Sequence, residues 1–400
     1  MTPRCVLIVT QFYAPEKIGS APVMAETAEW LAAHGFEVTV LAARPHYPEM
    51  FVPAEYRRGA RDRETVNGVR LVRLPVWPLR GGGLLARLWI EGWLLLGALW
   101  RRAVEPRLRR PLVLSLCPSI FTVLAAHAFV ARGGRHVAVV HDIQSGLAGA
   151  LGIGALGPVP RLLRWLERTA LNRTDAIVVL SDGMRDALRS NGIARPITVL
   201  PPQVNTETIR PQPRPDGQPP TLLYSGNLGR KQGIEQVLDM AARLASLMPA
   251  ARVVIRGNGN QEDQLKARAG ELGLANLSFA PLAPTERIAA AMAEGDVHLV
   301  PQVPDGANAA VPSKVFAIMA AGRPFIATAV PGSTLDHVAQ ASGAGVCVPP
   351  NDPDAFAAAA VALLNDGARR AAMGAAGRAW VEANASNAAI MKSFAAVLAG

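Results

Sequence analysis

Three stretches of this 400-residue chain carry residue types and spacings suited to holding an anion. Tyr224-Ser225-Gly226-Asn227-Leu228-Gly229-Arg230-Lys231-Gln232-Gly233 sets glycines and adjacent cations just after a short apolar run. Arg256-Gly257-Asn258-Gly259-Asn260 repeats the glycine turn behind the next apolar run. Glycine at such a turn lets backbone N–H groups approach an anion, and a helix opening behind it adds a favourable field. The third stretch is Val311-Pro312-Ser313-Lys314. Ser313 is a good helix N-cap, so Lys314 falls in the first turn, where the helix end is already positive. An anion bound there removes the conflict. The three stretches together point to a diphosphate, with Arg230, Lys231 and Lys314 as candidate countercharges.

A second set of candidates lies earlier in the chain. His141-Asp142 ends the apolar run Val137–Val140, at the carboxyl edge of a parallel strand, where active-site groups collect. Such a pair can hydrogen-bond hydroxyls and orient or accept a proton, or it can cap a loop. His46 and Tyr47 close the loop after the second apolar run, and Gly19 sits in the long polar loop after the first. These three are candidates for contact with a second substrate. That first loop lacks the G-x-G-x-x-G dinucleotide fingerprint. His127 and His298 fall inside helix and strand patterns and read as packing residues.

The elements that must position these groups read as α/β. Strands are expected at Val6–Thr10, Val38–Ala42, Val113–Leu116, Val137–His141, Ile177–Leu180 and Ile197–Leu200. Helices are expected at Val23–His34, at Ile120–Ala131 closed by Gly133-Gly134, at Arg161–Asn172, and at Asp182–Ser190 capped by Ser181. Continuous apolar strands between helices imply a parallel sheet covered on both faces. Asn67-Gly68 within Thr65–Leu74 reads as a hairpin projecting from that sheet. A Pro-rich stretch, Pro211–Pro220, reads as a hinge, after which the pattern restarts with strands Leu222–Ser225, Val253–Arg256, Leu277–Ala280, Val297–Val300 and Phe325–Ala327. The expected division is a first domain over 1–207, a linker over 208–220, a second domain over 221–380, and a closing helix over 381–400 that returns to the first. The ligand belongs in a cleft between the two, at the carboxyl ends of the strands.

In this order the motifs resemble the family 4 glycosyltransferases, across nearly the whole chain. The carrying residues are Val9-Thr10-Gln11-Phe12-Tyr13-Ala14-Pro15-Glu16 with Gly19, Arg44-Pro45-His46-Tyr47-Pro48, Val179-Leu180-Ser181-Asp182-Gly183-Met184, Leu223–Gly229, and Val311–Lys314 through Gly322-Arg323-Pro324. The likeness is strongest to the bacterial capsule, O-antigen and colanic-acid type. It implies the GT-B fold: two Rossmann-like domains with parallel sheets facing across a cleft. It also implies retaining, metal-independent transfer of a sugar from a nucleotide diphosphate sugar (a UDP- or GDP-sugar), with no cofactor. The donor would be held by Gly226, Asn227, Arg230, Lys231, Gly257, Asn258, Gly259, Pro281, Leu282, Ser313 and Lys314. The acceptor, a lipid-linked saccharide or growing polysaccharide, would meet Gly19, His46 and Tyr47, with His141 and Asp142 as the catalytic pair. Two family glutamates eight positions apart are replaced here by Ala309 and Ala317, and the family Arg and Lys of the glycine turn by Asn227 and Gln232.

Composition sets the outer limits. Half of the residues are hydrophobic and no apolar run reaches the ~18 residues that span a bilayer, which excludes a disordered chain and an integral membrane protein. Cys5, Cys117 and Cys347 are too scattered for a zinc cluster or disulfide framework, so a reducing cytoplasm is expected. The formal charge is +10, and the excess lies wholly in the part of the chain up to and including Arg210, with 13 arginines against 4 acidic residues between Arg57 and Arg110. Within that stretch, Leu84–Trp100 is apolar and carries Trp89, Trp93 and Trp100, followed by Arg101 and Arg102. It reads as a helix lying on an anionic membrane surface, on the inner face of the plasma membrane, or as a helix packed on the sheet. No nucleic-acid module is present, so no nucleic-acid partner is expected. A nucleotide-sugar epimerase and a non-catalytic membrane scaffold are the alternative functions.

Overall fold

A computed structural model describes residues 4–16, 20–47, 50–79, 84–117, 119–143, 158–303 and 312–399, with backbone alone at 84, 85, 158–160, 231 and 285. The chain divides into two compact units, Met1–Leu200 with Met391–Gly400, and Pro201–Ile390.

The first unit is built on β1 (Arg4–Thr10), β2 (Phe36–Ala43), β3 (Arg63–Val66), β4 (Val69–Leu74), β5 (Arg110–Cys117), β6 (Val130–Val140), β7 (Ala176–Val179) and β8 (Ile197–Val199), in the sheet order β3-β4-β2-β1-β5-β6-β7-β8. All neighbours are parallel except β3 and β4. β1 shows why: Val6, Leu7, Ile8 and Val9 are each fully buried, so both of its faces need cover. The chain moves one way from β1 to β2 and the other way from β4 through β5, β6 and β7. Right-handed crossovers therefore put the helix Ala21–Ala33 on one face, and the helices Leu84–Val104, Ile120–His127 and Pro158–Leu171 on the other. The switch point of the sheet lies between β1 and β5.

Two expectations are corrected here. The hairpin does not project. Asn67 (φ 50°) and Gly68 (φ 80°) make the expected tight turn, but β4 pairs with β2 from Thr39↔Arg70 to Ala43↔Leu74 and forms part of the sheet. That pairing buries Val69, Leu71, Val72 and Leu74. Gly133-Gly134 does not end a helix either. The helix stops at His127, and both glycines lie inside β6, where the pairing with β5 shifts register between Arg110 and Leu112. Glycine in a strand marks such an irregularity as readily as a helix stop.

The described residues of the second unit form six parallel strands: β9 (Thr221–Ser225), β10 (Arg252–Arg256), β11 (Leu277–Ala280), β12 (Val297–Val300), β13 (Phe325–Thr328) and β14 (Gly345–Val348). Their order is β11-β10-β9-β12-β13-β14, with the switch point between β9 and β12. β14 is a strand that the apolar pattern did not announce, since Gly345-Val346-Cys347-Val348 is short and only half-buried over most of its length. The division into units falls at Leu200/Pro201, ahead of the Pro-rich stretch. Val204 donates its N–H to Ala385 O at 2.9 Å, and Arg378 donates to Ile209 O, Ala320 O and Thr206 O at 2.8, 2.6 and 3.1 Å. Further along, Arg214 pairs with Asp296 at 3.3 Å and Arg323 donates to Gln212 O at 2.7 Å. These bonds fasten residues 204–214 to the second unit. The last helix, Asn387–Ala399, crosses the division, and its residues from Met391 onward belong to the first unit.

Candidate functional site

In the second unit, the loop after β9 and the helix Lys314–Ala320 that follows β12 meet at the switch point, and Lys314 is where they join. It opens the helix Lys314–Ala320 between β12 and β13. Its Nζ lies 4.0 Å from the centre of the Tyr224 ring on β9 and 3.4 Å from Gln232 Oε1, toward which it donates. The same Nζ is 3.2 Å from the point a Cβ on Gly226 would occupy. No described carboxylate pairs with it, and burial pulls its pKa down to about 7. A lysine amine with no described counter-anion at the switch point of a parallel sheet is a ready partner for phosphate. Tyr224 is fixed in turn, because its hydroxyl donates to Asn227 O at 2.7 Å. Tyr224 and Gln232 escaped the sequence reading as site residues: one sits in an apolar strand run, and the other replaces a cation.

The two glycine turns pack on each other. A Cβ on Gly257 would stand 1.9 Å from Gly226 O, and one on Gly259 would stand 2.4 Å from Leu228 O. Gly226 donates to Arg256 O, Leu228 to Asn258 O and Gly257 to Ala280 O, at 2.9, 2.8 and 3.0 Å. These amides are thus already paired, and the described turns owe their glycines to this close approach. Asn227, Arg230, Asn258 and Gly259 are exposed beside them, as are Pro281 and Leu282 after β11. Ser313 is exposed with helical backbone (φ −56°, ψ −24°) and its side chain makes no capping bond, contrary to the expected N-cap. The reason is its helical φ/ψ, whereas a capping residue is extended. Ala317 sits half-buried on the same helix; Ala309 and the Lys231 side chain lie outside the described residues.

In the first unit the candidates occupy the carboxyl edge of the sheet. His141 follows β6, its N–H donates to Cys117 O at 3.0 Å, and burial lowers its pKa to about 4, so the imidazole is neutral at physiological pH. Asp142 beside it is exposed. His46 and Tyr47 follow β2, and both of their backbone N–H groups donate to Glu16 Oε1, at 2.9 Å each. Phe12 stacks on the His46 ring at 5.6 Å and meets Tyr47 edge-on at 5.8 Å. Glu16 belongs to the motif of the first loop, and only the alignment of β1 with β2 shows that it anchors the second loop. β2 and β6 are three strands apart, about 14 Å at the usual strand spacing, so His46 and His141 are separate positions on one edge. Gly19 lies outside the described residues. His298 packs as expected, with Nε2 3.0 Å from Met292 O, and His127 ends its helix exposed, 3.4 Å from His136.

The helix Leu84–Val104 has two characters. Ile90, Leu94 and Ala98 are buried against the sheet, while Trp89, Leu96, Leu99 and Trp100 are exposed, Trp100 to 70%. Trp93 is half-buried between Trp77 and Trp89, with ring centres 4.7 and 5.8 Å away. Arg101 pairs with Glu105 at 2.7 Å and Arg102 donates to Ala128 O at 3.0 Å, so both arginines also hold the unit together. Among the described residues no helix is long and apolar enough to cross a membrane, and no group of three His, Cys, Asp or Glu could hold a metal ion.

Residues 19–203 match a family model described as a glycosyl transferase 4-like domain, and residues 205–380 match one described as glycosyl transferases group 1. The chain belongs to the family 4 glycosyltransferases. This glycosyltransferase is 28% identical over 372 residues to a putative colanic acid biosynthesis glycosyl transferase, WcaI, of Escherichia coli K12, covering 88% of this chain and 90% of that one. It is 29% identical over 275 residues to a GDP-mannose-dependent alpha-(1-6)-phosphatidylinositol monomannoside mannosyltransferase of Mycobacterium tuberculosis, covering 65% of this chain and 68% of that one. The structure of Anabaena Alr3699/HepE in complex with UDP and glucose superposes with a TM-score of 0.68 at 14% identity, covering 99% of each chain. Two units with parallel sheets and these likenesses establish the expected GT-B fold. The likenesses support a glycosyltransferase over the epimerase and scaffold alternatives.

Proposed function

We propose that this glycosyltransferase moves a sugar from a UDP- or GDP-sugar to a lipid-linked or growing polysaccharide acceptor, in the synthesis of an exopolysaccharide, capsule or O-antigen. The observation that carries the donor half is Lys314 at the β9/β12 switch point, half-buried and paired with no described carboxylate. Its ammonium group, with Arg230 and Lys231, meets the diphosphate, while Gly226, Asn227, Gly257, Asn258, Gly259, Pro281, Leu282 and Ser313 shape the rest of the site. A fixed cation at the departing phosphate stabilises the charge that builds there as the glycosidic bond breaks. The transfer is retaining and independent of metal. On the other unit, the neutral His141 hydrogen-bonds sugar hydroxyls and Asp142 orients it or takes the acceptor proton, with Gly19, His46 and Tyr47 holding the acceptor. The polysaccharide and glycolipid relatives, and the UDP in the HepE structure, support this assignment of substrates.

The enzyme works on the inner face of the plasma membrane, held peripherally by Trp89, Trp93 and Trp100 with the arginines around them, Arg101 and Arg102 included. The exposed tryptophan and leucine side chains on a basic unit support that placement. Thermal unfolding with added UDP or GDP in EDTA tests the donor site. Wild-type protein is stabilised by one of the two, and Lys314→Ala removes most of that shift while unfolding at a similar temperature unliganded. Equal stabilisation of both proteins takes Lys314 out of the site.

A further inference from the structure

Glu16 uses only one of its two carboxylate oxygens. Oε1 accepts the N–H groups of His46 and Tyr47, while Oε2, shielded from solvent, has no hydrogen-bond partner. The side chain is 2% exposed. His46 is in a similar state at 1% exposure. Its Nδ1 lies 2.8 Å from Arg44 O and 3.8 Å from Glu16 Oε1, and its Nε2 has no partner. Buried polar atoms are nearly always paired, so two on touching side chains that find no partner among the described residues ask for one from outside.

Their setting says what the partner is. Glu16 and His46 follow β1 and β2 at the carboxyl edge of the sheet, beside its switch point. The segment is pinned from behind, where Arg73 Nη2 donates to Ala14 O at 2.9 Å and to Glu64 Oε1 at 2.8 Å. Phe12, stacked on His46 and edge-on to Tyr47, makes an aromatic wall that reaches solvent at Tyr47, 39% exposed. An aromatic wall with a carboxylate acceptor beside it suits a ligand with an apolar face and hydroxyl donors. A phosphate would instead meet repulsion from the carboxylate.

We propose that Glu16 binds a hydroxyl of the acceptor saccharide through Oε2, with His46 Nε2 bonding a neighbouring polar group of the same sugar. This rests on the reading that the first unit receives the acceptor. It makes Glu16 a binding residue and not only the anchor of the 46–47 backbone.

Glu16→Gln separates the two roles. The glutamine Oε1 still accepts both N–H groups, while its amide nitrogen replaces the free acceptor with a donor. The probes are the methyl glycosides of glucose, galactose, mannose and fucose, followed by saturation-transfer NMR, with thermal shifts by UDP and GDP run in parallel. The expected result is that wild-type protein binds at least one glycoside and that E16Q binds it at least tenfold more weakly, with an unchanged unfolding temperature and unchanged nucleotide shift. Equal binding by both proteins overturns the inference and leaves Glu16 an anchor. Failure of every glycoside to bind wild-type protein overturns it too; the donor site then stands or falls on the nucleotide shifts alone.

Discussion

Lys314 concentrates the chemistry of the second unit into one side chain. Burial favours its neutral form, so between about pH 7 and the ordinary lysine value near 10.4 the unfolded chain holds a proton that the native protein does not. Stability must therefore rise with pH across that window. Lys314→Met, which keeps the apolar stem, should flatten this rise, and urea unfolding at several pH values measures it. An unchanged slope means that the amine is charged in the folded protein. The ligand pulls the other way. A diphosphate favours the ammonium form, so nucleotide binding above pH 7 should take up a proton, read by titration calorimetry in buffers of different ionisation enthalpy. Lys314 was legible in the sequence because a cation in a first helical turn is misplaced. Glu16 was not, because a single loop glutamate gives no sign of what lies across from it. Its contacts 30 and 31 residues away exist only once β1 and β2 pair in register, Thr10 beside Ala42.

At the level of elements, continuous apolar runs announced all the central strands, and the capping serine before Asp182–Ser190 is in place, accepting from Met184 N–H. What failed were the glycines. Gly133-Gly134 looks like a helix stop in the sequence and is a strand irregularity in the fold, because the local signal is the same for both. The same ambiguity affects Gly257 and Gly259: a turn that approaches an anion and a turn that packs on another turn both need glycine. The hairpin turn was right, but its place in the sheet depends on β2, which local pattern does not report. Gly68 (φ 80°) allows a direct test. Gly68→Val forces a branched residue into left-handed backbone and should cost about 1–2 kcal/mol, read by denaturant unfolding. Because β3 and β4 form the edge of the sheet, nucleotide-induced stabilisation in the second unit should be unaffected. A neutral substitution means that the turn tolerates another geometry.

On the scale of the whole molecule, the +10 charge of the sequence becomes a more local matter. Arg44, Arg61, Arg63, Arg73, Arg87, Arg101 and Arg110 all pair with carboxylates of the first unit, so these seven are engaged within the fold and the net excess rests on other arginines. The exposed Trp89, Leu96, Leu99 and Trp100 then carry more of the membrane reading than these arginines do. Leu96→Ser with Trp100→Ser, at the two most exposed apolar positions of that helix, should lower binding to anionic vesicles at least tenfold in a flotation assay, without lowering the unfolding temperature. Retained binding moves the membrane contact elsewhere. The central claim is catalytic, and its most direct test is the fate of labelled sugar. Incubated with a radiolabelled UDP- or GDP-sugar and membrane lipids, the wild-type enzyme should carry label from one donor into the lipid or polysaccharide fraction, and Lys314→Ala should not. Folded protein that binds nucleotide yet leaves all label in every donor tried contradicts the account.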